Sequence, residues 1–159
     1  MDVFEINVNS EETLLKAFDV LHDATCDEND IVYDSEKETL DIVFHREFLE
    51  DASKINIRRV LFIFHKFEFP IVESHLHLEG LSFCKIHSKD KSLKSHMFNE
   101  CKARKGKYFL YFYEVLEMEI GFKTSITGYL RDIEFIEGKK GSFIQFRSKL
   151  NLSLPDNTV

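Results

Sequence analysis

The chain has no tryptophan, two prolines and six glycines, and only Ala17, Ala24, Ala52 and Ala103 among its 159 residues. So little glycine and proline excludes a collagen-like or low-complexity chain. So little alanine, the best helix former, weighs against a helical bundle. No stretch approaches the ~20 consecutive apolar residues of a spanning helix, so no membrane partner is expected. Met1 to Ser10 lacks a basic stretch followed by an apolar one, so no signal peptide is read. The three cysteines, Cys26, Cys84 and Cys101, form no C-x-x-C pair. With no export signal they are expected as reduced thiols, and the protein as cytoplasmic. Phosphate-cradling loops of the G-x-x-x-x-G-K and G-x-G-x-x-G types are absent, as is a G-x-S-x-G elbow.

Aromatics are plentiful, with 16 Phe and 5 Tyr. Such residues fit a pleated, half-buried surface, so the composition leans toward strand. Hydrophobic residues at 43% against 31% charged exclude an intrinsically disordered chain. The net charge of −7 is unevenly laid out. Residues 1–51 carry 16 acids against 3 bases, whereas residues 85–107 carry 8 bases against 2 acids. That asymmetry marks either a polyanion patch or two faces that pair internally.

Alternation predicts most of the elements. Val3 to Val8 reads as a strand. Ser10 reads as an N-cap with Glu11 and Glu12 in the first turn, where the helix dipole favours negative charge. Leu14, Phe18 and Leu21 then recur at helical spacing, predicting an amphipathic helix from Glu11 to about His22. Ile31–Tyr33 and a strand carrying Leu40, Ile42 and Phe44 flank a polar turn. Residues 46–56 read as a loop or a single helical turn.

Val60 to Phe64 is apolar on both faces and is expected as a central strand that Pro70 ends or bulges. Val72 to Ile86 alternates, with a phase shift at Gly80 that a bulge would explain. Residues 88–105 fit a helix or a hairpin, and Lys105–Gly106 before a strong strand favours the hairpin. Ile126–Ile136 and Ser142–Phe146 are expected to form a hairpin across Gly138–Gly141. Residues 30–45 and 132–147 also align without a gap, which reads either as a duplicated β unit or, more simply, as two hairpins of equal loop length.

The predicted fold is α+β: a mostly antiparallel sheet, or a partly closed barrel or sandwich, of seven or eight strands with one N-terminal amphipathic helix. Residues 1–152 are expected as a single domain and 153–159 as a frayed tail.

Three constellations can carry chemistry. Glu73-x-His75-x-His77-x-Glu79 lies at strand period two, which puts all four side chains on one face. Two imidazoles aimed alike suit a divalent transition metal, and carboxylates complete the shell. His65 or His87 would supply a further ligand. The bland alternative is a solvated row opposite a core face of Val72, Leu76 and Leu78.

The second constellation is the basic run of Lys89, Lys91, Lys94, Lys102, Arg104 and Lys105, with Lys85 and Lys107 beside it. Lysines can neutralise phosphates while nearby aromatics stack bases. A lysine-rich hairpin that protects a sheet edge gives the same pattern, and the acidic total weighs against a nucleic-acid partner. The third set is thiol–imidazole pairs, Cys84 with His87 and Cys101 with His96, against a default of small buried core thiols. His22–Asp23 reads as a helix C-terminal pair.

No cofactor is required by this reading, and a divalent transition metal is the one that would fit. The leading expectation is a non-catalytic interaction or regulatory domain. Its acidic N-terminal face would meet another protein or a second copy of the chain. The alternatives are a metal-binding protein or metal-dependent hydrolase, and a barrel whose Phe62, Phe64 and Phe112 line an apolar ligand pocket.

Overall fold

The computed structural model describes residues 4–60, 64–90, 92–113 and 116–146. Strand β1 (Glu5–Val8) leads into helix α1 (Glu11–Val20). Then come β2 (Thr25–Asp27), β3 (Ile31–Asp34), β4 (Thr39–Glu47), β5 (Asn56–Val60) and β6 (Phe64–Ser88). The chain continues through β7 (Ser95–Arg104), β8 (Lys107–Phe112) and β9 (Leu116–Phe146). Single 3-10 turns sit at Glu28–Asp30 and Ala52–Lys54. The result is mostly antiparallel sheet with one helix, and nine strands among the described residues exceed the seven or eight expected.

Helix α1 starts at its predicted cap. The Thr13 amide donates to Ser10 Oγ at 3.2 Å, while the Ser10 amide donates to Thr13 Oγ1 at 3.0 Å. Two otherwise orphaned amides are satisfied reciprocally, with Thr in the place a Glu often takes. Ser10→Ala is therefore expected to lower stability by about 1 kcal/mol in urea unfolding. An unchanged midpoint would show that the cap contributes nothing.

Contacts group the chain into two units, 1–46 with 72–136 and 47–71 with 137–159. In the first unit the strand path runs β1-β9-β8-β7-β2-β4-β6, and β6 also pairs with β9, so the sheet is partly ring-like. Alternation fills its interior. Leu40, Ile42 and Phe44 of β4 and Leu76 and Leu78 of β6 are fully buried beside Leu14, Ala17, Phe18 and Leu21 of the helix segment. Phe98 stacks on Phe18 at 5.5 Å and meets Phe112 edge-on at 5.4 Å. Phe112, expected to line a ligand pocket, is thus engaged in core packing.

Inside this core lies a polar trio that periodicity did not predict. Arg46 is 3% exposed, Ser74 0% and Asp132 2%. Arg46 Nη2 donates to both Asp132 carboxylate oxygens, at 3.0 and 2.8 Å. Arg46 Nε donates to Ser74 Oγ at 3.0 Å, and Ser74 Oγ donates to Asp132 Oδ1 at 2.6 Å. The Phe4 ring lies 4.9 Å from the guanidinium carbon. Buried charges persist where they are paired and hydrogen-bonded in this way.

The β7–β8 hairpin turns at Lys105 and Gly106, as the sequence favours. Both residues have positive φ, 50° and 72°, which the two centre positions of such a turn require. Gly80 also has positive φ, 73°, and the buried parity of β6 changes there from Leu78 to Leu81.

The second unit corrects three expectations. Val60 and Phe64 are not neighbours in one central strand. They face each other across the β5–β6 pairing, Val60 ending one strand and Phe64 beginning the next. Pro70 does not end β6, which continues through it, and its carbonyl accepts the Phe48 amide at 3.0 Å. The Gly138–Gly141 stretch is not a hairpin turn, because β9 runs extended from Leu116 to Phe146. A Cβ on Gly141 would come within 1.9 Å of the Phe69 ring, so its glycine serves close approach instead of a turn. That also ends the likeness between residues 30–45 and 132–147, since the first is a hairpin and the second extended strand. The expected tail 153–159, Phe62 and Lys91 lie outside the described residues.

Candidate metal centre

The outer face of β6 follows from its inner one. Val72, Ser74, Leu76 and Leu78 are buried, so Glu73, His75, His77 and Glu79 point the other way. On β4 the same alternation buries Leu40 and Ile42 and turns Asp41 outward. Asp41 arrives beside the two histidines. Its Oδ1 lies 2.8 Å from His75 Nε2 and 2.6 Å from His77 Nδ1. One ligand atom from each of the three residues falls within 4.8 Å of the others. The side chains are half-buried, at 23% for His75, 19% for His77 and 33% for Asp41.

The surroundings orient the rings. Glu79 Oε1 lies 3.1 Å from His77 Nε2, leaving Nδ1 as the nitrogen that faces Asp41. A carboxylate on the far nitrogen is the arrangement that fixes tautomer and ring angle in metal-bound histidines. Tyr129 of β9 stacks on His77 with centroids 5.2 Å apart and meets His75 edge-on at 5.6 Å. A Cβ on Gly128 would lie 2.1 Å from the His77 carbonyl oxygen, so only glycine lets β9 approach β6 here.

His77 touches carboxylates with both ring nitrogens, and only an imidazolium can donate to both. Partial burial lowers its pKa, but the hydrogen bonds and charges of Asp41 and Glu79 outweigh that and raise it above the ordinary 6.5.

Of the four residues singled out in the sequence, the fold joins His75 and His77 and sets Glu79 behind them. Glu73 instead faces His45, with Glu73 Oε2 3.7 Å from His45 Nε2. The residue that joins the two histidines is Asp41, where the sequence suggests His65 or His87. Spacing missed it because Asp41 lies 34 residues from His75 and 36 from His77. The one local signal is an acid at an outward position of a strand otherwise rich in Leu, Ile, Val and Phe.

The basic run is partly engaged with its neighbours. Lys89 pairs with Glu117 at 2.7 Å, Lys102 with Glu100 at 2.5 Å and Lys107 with Glu119 at 2.7 Å. Lys94, Arg104 and Lys105 are exposed, Lys105 at the hairpin turn. The acidic third is also partly used internally. Asp34 accepts the amides of Glu36 and Lys37, and Glu11 accepts the Tyr108 hydroxyl at 2.9 Å.

The cysteines carry no activated thiol. Burial pushes Cys26 and Cys101 up to about 12 and Cys84 to about 11, with nearby acids adding to the first two. A thiol so raised stays protonated and is a poor nucleophile. The thiol–imidazole alternative for Cys101 and His96 gains no support from strand register, since His96 registers with Cys26 and Cys101 with Leu110.

Among the described residues no helix is long and apolar enough to cross a membrane. No protein family, no curated protein and no solved structure matches the chain.

Proposed function

We propose that this chain binds a divalent transition metal through Asp41 Oδ1, His75 Nε2 and His77 Nδ1. The observation that carries the reading is the convergence of these three donors within 4.8 Å on one sheet face. Two imidazoles and one carboxylate suit zinc, iron or nickel better than calcium or magnesium. Three protein ligands leave coordination positions for water or another ligand, where the metal acts as a Lewis acid. A structural zinc site would close all four positions with protein ligands. The centre is therefore read as one that exchanges ligands.

Metal and proton compete for His77 Nδ1. In the metal-free fold the raised pKa of His77 means that its proton stabilises the native state. That stabilisation is fully present below about pH 6.5 and is lost as pH rises through the raised folded value. Metal affinity runs the other way, because the ligand must be neutral imidazole. Calorimetric titration with Zn²⁺ is expected to show one site per chain, proton release, and an apparent affinity that falls roughly tenfold or more from about pH 7.5 to 6. Binding with no proton release and no pH dependence would place the ion elsewhere.

A further inference from the structure

Strand β5 carries Asn56, Ile57, Arg58, Arg59 and Val60, and all but Val60 are exposed. It ends the strand order and pairs with β6 alone among the described residues. Its other edge therefore presents backbone amides and carbonyls in strand geometry, with no described strand beside them.

Positive charge is concentrated along this edge. Arg58 registers directly with Lys66, and like charges placed opposite each other are unfavourable. Both draw on one carboxylate. Lys66 Nζ donates to Glu68 Oε1 at 2.9 Å, and Arg58 Nη2 stands 3.5 Å from Glu68 Oε2. The Lys66 hydrogen bond, with the charges of Arg58 and Lys140, holds the Glu68 carboxyl below its ordinary range. Three cations thus share one acid, and the Arg58 side chain is still 63% exposed. Arg59 makes no ion pair among the described residues, and its register partner His65 offers no negative charge.

We propose that the free edge of β5 takes an extended acidic segment of another protein as an added strand. Main-chain hydrogen bonds to the edge would supply affinity, and the side chains on either face would set specificity. Charge complementarity selects the occupant. A second copy of β5 fits badly, because pairing the strand with itself brings the arginines of both copies together. Successive side chains alternate, so an added strand meets Arg58 on one face and Arg59 on the other. The segment must then carry two consecutive acids, with an apolar residue next to them to cover Ile57, which is 41% exposed.

The test is fluorescence anisotropy with the full chain and a labelled peptide, Thr-Val-Thr-Val-Glu-Glu-Val-Thr-Val-Thr, at low salt. Valine on both sides of the acid pair lets the probe add in either direction. The wild type is expected to bind it, and to bind more weakly as salt rises. Arg58→Gln with Arg59→Gln is expected to weaken binding about tenfold or more while leaving the far-ultraviolet circular dichroism unchanged. A probe with proline at alternate positions, which keeps the acids but loses backbone donors, is expected not to bind. No binding by the wild type, or equal binding by the double variant, overturns the proposal. Equal binding of the proline probe shows charge attraction without strand addition and overturns it too. Sedimentation showing a wild-type dimer that the double substitution dissociates would give the edge to a second copy, and would likewise overturn it.

Discussion

Asp132→Ala is expected to destabilise the fold by about 3–5 kcal/mol, the cost of leaving a buried charge without its partner. The charge left behind is Arg46, 3% exposed and held by two Nη2 bonds to the carboxylate that the substitution removes. Ser74 Oγ would lose the acceptor it reaches at 2.6 Å. Arg46, Ser74 and Asp132 come from β4, β6 and β9, so the trio ties three neighbouring strands at one level of the first unit.

The pair need not be a net gain over apolar packing. Arg46→Met combined with Asp132→Leu should recover most of the loss, since a buried ion pair replaced by well-packed hydrophobics is often neutral or better. Urea unfolding of the two single variants and the double variant measures this directly. A single-variant loss below about 1 kcal/mol would mean that water reaches Arg46 and that the trio does not hold a dry charge.

That trio and the metal centre show where sequence reading stops. Alternation placed Leu40, Ile42, Phe44, Leu76 and Leu78 on inner faces, because period two is a local property of each strand. The turn at Lys105–Gly106 was legible for the same reason: its chemistry lies in two adjacent residues. Two other apolar or glycine-bearing stretches misled. Val60–Phe64 looks continuous but straddles the β5–β6 connection, and two glycines around Lys139–Lys140 imitate a turn where Gly141 makes room for Phe69.

Two of the three donors of the candidate site were visible, since His75 and His77 share a strand face by spacing alone. Asp41 was not. Which outward residue of β4 stands beside them depends on strand pairing, and nothing near Asp41 encodes that. Arg46 and Asp132 are 86 residues apart and hidden for the same reason.

Asp41→Ala is expected to weaken metal binding about 100-fold or more. Losing even a residue that merely orients a ligand typically costs 10–100-fold, and Asp41 supplies the one anionic donor of the set. Its loss also leaves two imidazoles facing a cation with no charge to offset it. Glu79→Gln should cost less, within that 10–100-fold range, because Glu79 touches His77 only on the far nitrogen. Glu73→Gln should leave affinity unchanged, since Glu73 faces His45. The ordering of these three variants separates a centre built on Asp41 from the simple row of four outward residues along β6.

The most direct measurement is elemental analysis of protein made without a histidine tag, incubated with Zn²⁺ and dialysed. The wild type is expected to retain one equivalent per chain. His75→Ala with His77→Ala is expected to retain none while keeping the far-ultraviolet circular dichroism of a β-rich fold. Substoichiometric metal in the wild type, or metal unchanged by the double substitution, would contradict the account and return Asp41, His75 and His77 to a hydrogen-bonded surface cluster.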